Sequence, residues 1–142
     1  MRKLLFLGGT AANNRWRDGF TDALMARGVS SDIIFNPVVA EWNEEAQARE
    51  EKAKASASHL LFYIANPMQE GNPLSAYSMV EATMALYDKG DRTVVVFDSN
   101  GMEGHFLKAL NQTRKVIQAR FPDARIYESA DAAIDGLAAD LA

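Results

Sequence analysis

The sequence predicts an α/β protein in which a five-stranded parallel sheet is doubly wound by helices, in the flavodoxin/Rossmann-like manner. Three observations predict it. Short apolar runs alternate along the chain with longer segments of helical period. The runs end at Gly, Asn or Asp residues, as strands entering loops do. Finally, the runs are continuously apolar rather than alternating, which is the pattern of strands covered on both faces, and β-α-β units produce such strands.

The first strand is expected over residues 3–7, ending at Gly8 and Gly9. From Trp16, the apolar positions Trp16, Phe20, Ala23 and Leu24 follow helical spacing until Gly28 stops the segment. Residues 33–35 make a second strand, ended by Asn36 and Pro37. The stretch EWNEEAQAREEKAKASA, residues 41–57, is a polar helix that packs through small alanines, with Glu45/Arg49 and Glu50/Lys54 placed for i,i+4 pairing on a solvated face. HLLFYIA, residues 59–65, is the third strand, followed by the loop NPMQEGNPL and a helix that carries Glu81. TVVVFD, residues 93–98, is the fourth. A helix over residues 105–121 should bury Phe106, Leu107, Leu110, Val116, Ile117 and Phe121 as one stripe, before a short strand at ARIY, residues 124–127. In the tail, Ala133, Ile134, Leu137, Ala138 and Leu141 share one helical face, with Ser129 placed as the cap.

Composition narrows the chemistry. With 142 residues, 48% of them apolar and 24% charged, residues 1–142 suffice for one domain with its own core. A formal charge of −4 and scattered basic residues argue against a nucleic-acid polymer as partner and favour small polar ligands. There is no cysteine, and the two histidines, His59 and His105, are far apart, so thiol chemistry, disulfides and ordinary zinc sites are excluded. Catalysis must then rest on carboxylates and hydroxyls, with no metal and no cofactor. The apolar run at residues 4–7 is too short for a signal peptide, and no stretch reaches membrane-spanning length. A cytoplasmic protein is expected.

In a doubly wound sheet, ligands bind beyond the carboxyl ends of the strands, where strand order reverses. The loops GGTAANN, NPVV, NPMQEGNPLSAYS and DSNGMEGH lie there. GGTAANN offers flexible backbone amides but lacks both the third glycine of a dinucleotide fingerprint and the Gly-Lys-Ser/Thr of a P-loop. A ligand contact and a plain β-α turn stay about equally open for it. Arg15 and Arg17 could hold a phosphate or be solvated helix charges. Ser78-Met-Val-Glu81 fits a capping box, with Ser78 as the cap. On local sequence the cap is the favoured reading, and the other is an acid set beside Tyr77 and Ser78 in a sugar-binding cluster. Glu50 and Glu51 lie about two helical turns before the third strand, so either could overhang the same crevice or remain a surface partner of lysine. Trp42 could stack on a base or cover a helix start, and His105 could contact a ligand or simply pack.

Taken in order, FLGGT followed by WR, then FNPVV with a nearby Trp, an acidic helix, an apolar strand and YSMVE resemble the nucleoside 2-deoxyribosyltransferase-like family, in its short branch with a YS-x-x-E motif. The resemblance implies exchange at the N-glycosidic bond of a 2′-deoxynucleoside. Glu81 would be the nucleophile that carries the deoxyribosyl group, and Glu51 the residue at the departing base. It implies substrate contacts at Gly8, Gly9, Thr10, Trp16, Asn36, Trp42, Ser75, Tyr77 and Ser78. Family members commonly carry a further acidic residue six positions before the nucleophile, where this chain has Ser75, so sugar hydroxyls would fall to Ser75 or Tyr77. The implied state is a homo-oligomer, at least a dimer, with an asparagine such as Asn100 or Asn111 reaching a neighbouring site. The alternatives are a 2′-deoxynucleoside 5′-monophosphate N-glycosidase, with Arg15, Arg17, Ser75 and Ser78 on the phosphate, and a nucleoside or nucleotide sensor without turnover.

Overall fold

The computed structural model describes residues 2–10, 16–39, 41–66 and 76–142. Among these residues, five strands and five α-helices alternate: β1 Leu5–Gly9, α1 Trp16–Ala26, β2 Ile34–Phe35, α2 Glu44–Ser56, β3 His59–Ile64, α3 Ala76–Lys89, β4 Thr93–Phe97, α4 Gly104–Arg120, β5 Arg125–Tyr127 and α5 Ala130–Leu141. The strands form one sheet in the order β2-β1-β3-β4-β5, every pairing parallel. The predicted fold class is therefore the observed one. Chain order reverses between β1 and β3, where Gly9 lies opposite Tyr63. That reversal opens the crevice at the strand ends.

Alternate residues of each strand feed two separate cores, as a strand period of two requires. Leu5, Leu7, Leu61, Val94 and Val96 meet Phe20 and Leu24 of α1 and Ile134 and Leu137 of α5. Phe6, Leu60, Phe62, Ile64, Val95 and Phe97 meet the small or aliphatic faces of α2, α3 and α4. Each fully buried Leu or Phe contributes about 1.5–3 kcal/mol relative to exposure. All five apolar residues expected on the inner face of α5 are buried, and Ser129 stands at its N-cap position without a side-chain capping bond.

Three elements depart from expectation. β1 begins and ends two residues later than expected, so Gly8 and Gly9 lie within the strand opposite Phe62 and Tyr63 rather than ending it. Ser31–Ile33 turns as a 3-10 helix, in which the Ser30 side chain accepts from the Asp32 amide at 3.2 Å, so β2 keeps only Ile34 and Phe35 on a half-buried sheet edge. In α4, Leu110 and Ile117 are buried whereas Phe106 lies exposed and Val116 is 69% exposed. Residues 110 and 117 are seven apart and fall on one line, so α4 meets the core through a narrower stripe than α3 or α5.

At the crevice, Gly9 has φ +124°, and a Cβ there would stand 2.2 Å from the Tyr63 carbonyl oxygen. Thr10 extends the same seam: its amide donates to Tyr63 O at 2.9 Å, and its Oγ1 donates to Ala65 O at 3.2 Å and accepts from Ala65 N at 3.0 Å. Gly9→Ala should therefore cost about 3 kcal/mol of unfolding free energy, combining backbone strain with overpacking. Urea denaturation measures it; a loss below about 1 kcal/mol would mean that β1 and β3 part locally at little cost.

Candidate active site

A cleft of about 280 Å³ opens at the end of β1. Gly8 and Gly9 come from β1 and Arg17 from α1, while Pro37 and Val38 follow β2. Trp42 and Glu50 reach it from the start and middle of the α2 segment, and Tyr77, Ser78 and Glu81 from the first two turns of α3. The glycines serve two ends: at Gly8 a Cβ would meet the Phe62 ring at 2.6 Å, so the bare backbone permits close strand packing and also borders the cleft.

Glu81 lies inside a helix that begins at Ala76, so Ser78 is not the residue before the helix and the capping-box geometry is not formed. Ser78, Glu81, Ala82 and Ala85 instead share the inward face of α3. Glu81 is 8% exposed, and a carboxylate so placed requires a partner. Lys54 of α2 provides it, donating from Nζ to Glu81 Oε2 while also pairing with Glu51 Oε1 at 3.2 Å. Burial draws the Lys54 ammonium down, but the hydrogen bond and charge of Glu81, then those of Glu51, more than offset it, and the net shift is upward. Glu81 also borders a second cavity of about 360 Å³, shared with Glu51, Lys54, Asp88 and Lys89. The acid thus stands between two openings, and Lys54 reaches it from the second.

The buried alanines of α2 decide which neighbouring acid enters the cleft. Ala46, Ala53 and Ala57 face the protein, and Glu50 is i+4 from the first and i−3 from the second, so it shares their side. Glu51 is turned a further 100° away: its side chain is 55% exposed and lines the second cavity, not the cleft. Lys54, expected to pair with Glu50 on a solvated face, turns to Glu51 and Glu81 instead. Burial pushes the Glu50 carboxyl above the usual range; Glu81 and Glu51 add to the shift while Lys54 and Arg17 oppose it. Tyr77 is raised as well, chiefly by the Glu81 charge.

Arg17 is not a solvated helix charge. Its guanidinium is buried and donates to the carbonyls of Leu7 at 3.1 Å, Thr10 at 3.1 Å and Gly9 at 3.3 Å, bracing the strand end. Desolvation lowers its pKa to about 10, opposed by Glu50 and Glu81. Trp16 stacks on Tyr63 at 4.8 Å and donates from Nε1 to Thr10 O at 2.8 Å, so its ring is engaged within the protein rather than in the cleft. Thr10 is buried in the β1–β3 seam. Asn36 accepts from the Val38 amide at 3.0 Å and borders a different depression, beside Asp18 and Asp22. Of the expected substrate contacts, Gly8, Gly9, Trp42, Tyr77 and Ser78 converge on the cleft, whereas Thr10, Trp16 and Asn36 do not. Ser75 and Arg15 lie outside the described residues. His105 and Asn111 sit on α4 and Asn100 after β4, away from the cleft lining, while His59, at the opposite end of β3, faces Asp140 at 3.3 Å.

An open parallel sheet with a paired-carboxylate cleft at its order reversal belongs to the small-ligand sites of doubly wound α/β proteins. The chain belongs to the nucleoside 2-deoxyribosyltransferase-like family, whose sequence profile matches residues 2–100. That span contains every residue of the cleft lining, from Gly8 to Glu81. No curated protein matches the sequence. Among the described residues, no helix is long and apolar enough to cross a membrane.

Proposed function

We propose that the protein is a deoxyribosyltransferase acting on 2′-deoxynucleosides, with Glu81 as nucleophile and Glu50, rather than Glu51, as the acid at the departing base. One observation carries this reading: the nearly buried Glu81 carboxylate and the Glu50 carboxyl line the same open cleft, and burial favours the protonated form of Glu50. Carboxyl groups whose environments differ in this way divide the nucleophile and acid roles between them. A Glu81 oxygen attacks C1′ as the C1′–N bond breaks, its electron pair going to the base nitrogen, which takes the Glu50 proton. A second base then attacks C1′, gives its proton to Glu50 and releases the Glu81 carboxylate. Trp42, Pro37 and Val38 offer apolar surface for the planar base, and Tyr77 and Ser78 flank the sugar.

Hydrolysis of a deoxynucleoside monophosphate is the neighbouring reading, but Arg17 is committed to three main-chain carbonyls and does not supply its phosphate clamp. The expected homo-oligomer remains part of this proposal; the exposed stripe Tyr77, Val80, Met84 and Tyr87 along α3 is surface available to it. Chromatography of reactions with a deoxynucleoside or its monophosphate, each with and without a free acceptor base, tests the assignment. New nucleoside formed only with acceptor supports transfer. Free base with deoxyribose phosphate would replace it by the hydrolase, and unchanged substrates by a binding role.

A further inference from the structure

We infer that Lys54 is a positioning residue that sets the balance between the two halves of the exchange, restraining formation of the sugar ester on Glu81 and promoting its breakdown. The inference rests on the reading of Glu81 as nucleophile. It comes from where Lys54 stands: its ammonium holds Glu81 Oε2 from the second cavity and does not line the cleft. The two carboxylate oxygens therefore take separate duties, Oε2 toward the ammonium and Oε1 toward C1′.

Charge decides the consequence. In the first half, the C1′–Oε1 bond forms as the C1′–N bond breaks, and the carboxylate becomes a neutral ester. The Lys54–Glu81 ion pair is lost at that moment, so it stabilises the starting state more than the transition state. In the second half, the nitrogen of an acceptor base, or a water oxygen, bonds to C1′, and the C1′–Oε1 pair of electrons returns to the carboxylate. Negative charge then develops against an ammonium already in place, the arrangement that most favours a leaving group. Glu51 completes the device. Its oxygen lies 3.2 Å from Lys54 Nζ, so the ammonium keeps one partner while Glu81 is esterified and does not swing into solvent.

The test is the steady-state fraction of enzyme bearing deoxyribose on Glu81, measured by acid quench and intact mass with a deoxynucleoside and saturating acceptor base, alongside kcat and KM. Lys54→Met should raise the esterified fraction and lower kcat by about tenfold or more, the scale of one hydrogen bond to a charged group. KM should fall with it, leaving kcat/KM unchanged or higher. Lys54→Arg, which keeps the charge, should restore most of kcat. An esterified fraction that stays level or drops in Lys54→Met, with kcat/KM reduced, overturns the inference while leaving Glu81 as nucleophile. If Lys54→Met does not fold, Lys54→Gln, which keeps a donor beside Glu81 without the charge, decides by the same two outcomes. A wild-type protein that turns over without ever carrying sugar on Glu81, or does not turn over at all, overturns the nucleophile reading and this inference with it.

Discussion

Glu81→Gln should abolish base exchange, lowering turnover by about ten-thousandfold or more, as loss of a covalent nucleophile does. The substitution keeps the side-chain shape at the α3 face beside Ser78 and Ala82. It removes the charged partner of Lys54 but leaves the Glu51 contact, and the new amide oxygen can still accept from the ammonium. Stability should therefore change by no more than about 1 kcal/mol, and deoxynucleoside binding by only a few-fold, because the cleft walls at Trp42, Tyr77 and Pro37 are untouched. Turnover assays, calorimetric titration with a deoxynucleoside and urea denaturation separate the three quantities. A variant that folds, binds and still exchanges bases would reduce Glu81 to a structural partner of Lys54. If it unfolds instead, Glu81→Asp, which retains the charge but withdraws the oxygens, keeps the question answerable through kcat alone.

The parallel sheet was legible because burial on both faces removes the alternation that a half-exposed strand would show. LLFYI and VVVF carry that signal with no tertiary information. The cleft was legible only in part. Tyr77, Ser78, Glu81 and Trp42 were found because the loops after parallel strands meet at one edge. The choice between Glu50 and Glu51 depends on helix phase, and the phase was present in the sequence: the spacing of Ala46, Ala53 and Ala57 marks the inward side of α2, with Glu50 on it. An amphipathic pattern written in alanine is faint, because alanine is at home on either face. Lys54 was concealed differently. The i,i+4 relation to Glu50 satisfied a local rule, but the exposed alternative is worth a few tenths of a kcal/mol, whereas a buried Glu81 without a counter-charge costs far more, so the tertiary demand wins. Arg17 escaped because arginines are seldom buried, and nothing local announces that the carbonyls of Leu7, Gly9 and Thr10 converge on its guanidinium. The Ser78-x-x-Glu81 match to a capping box was a coincidence of spacing, since the helix starts at Ala76 and both side chains then face inward.

Glu50→Gln should split catalysis from stability in opposite directions. As donor to a departing base, Glu50 must hold a proton, and burial together with Glu81 and Glu51 lifts its pKa above the ordinary 4.5. Removing that proton should lower kcat by about a hundredfold or more with an ordinary purine or pyrimidine substrate, and by much less with a base that leaves readily without protonation. The wild-type kcat profile should fall on its alkaline side as Glu50 ionises, and the variant should lose that limb. Stability runs the other way. A carboxyl whose folded pKa is raised lends stability below its unfolded pKa and loses it as pH rises through the folded value, so above that value the ionised side chain is a burden on the fold. Glu50→Gln removes a charge that lies near two other carboxylates, and its urea midpoint should exceed that of the wild type at pH 7 yet converge on it near pH 4. The same convergence is not expected for an exposed acid. An alkaline limb that survives in Glu50→Gln would transfer the donor role to another group, whereas a midpoint that falls at pH 7 would mean that Arg17 and Lys54 outweigh desolvation at this position.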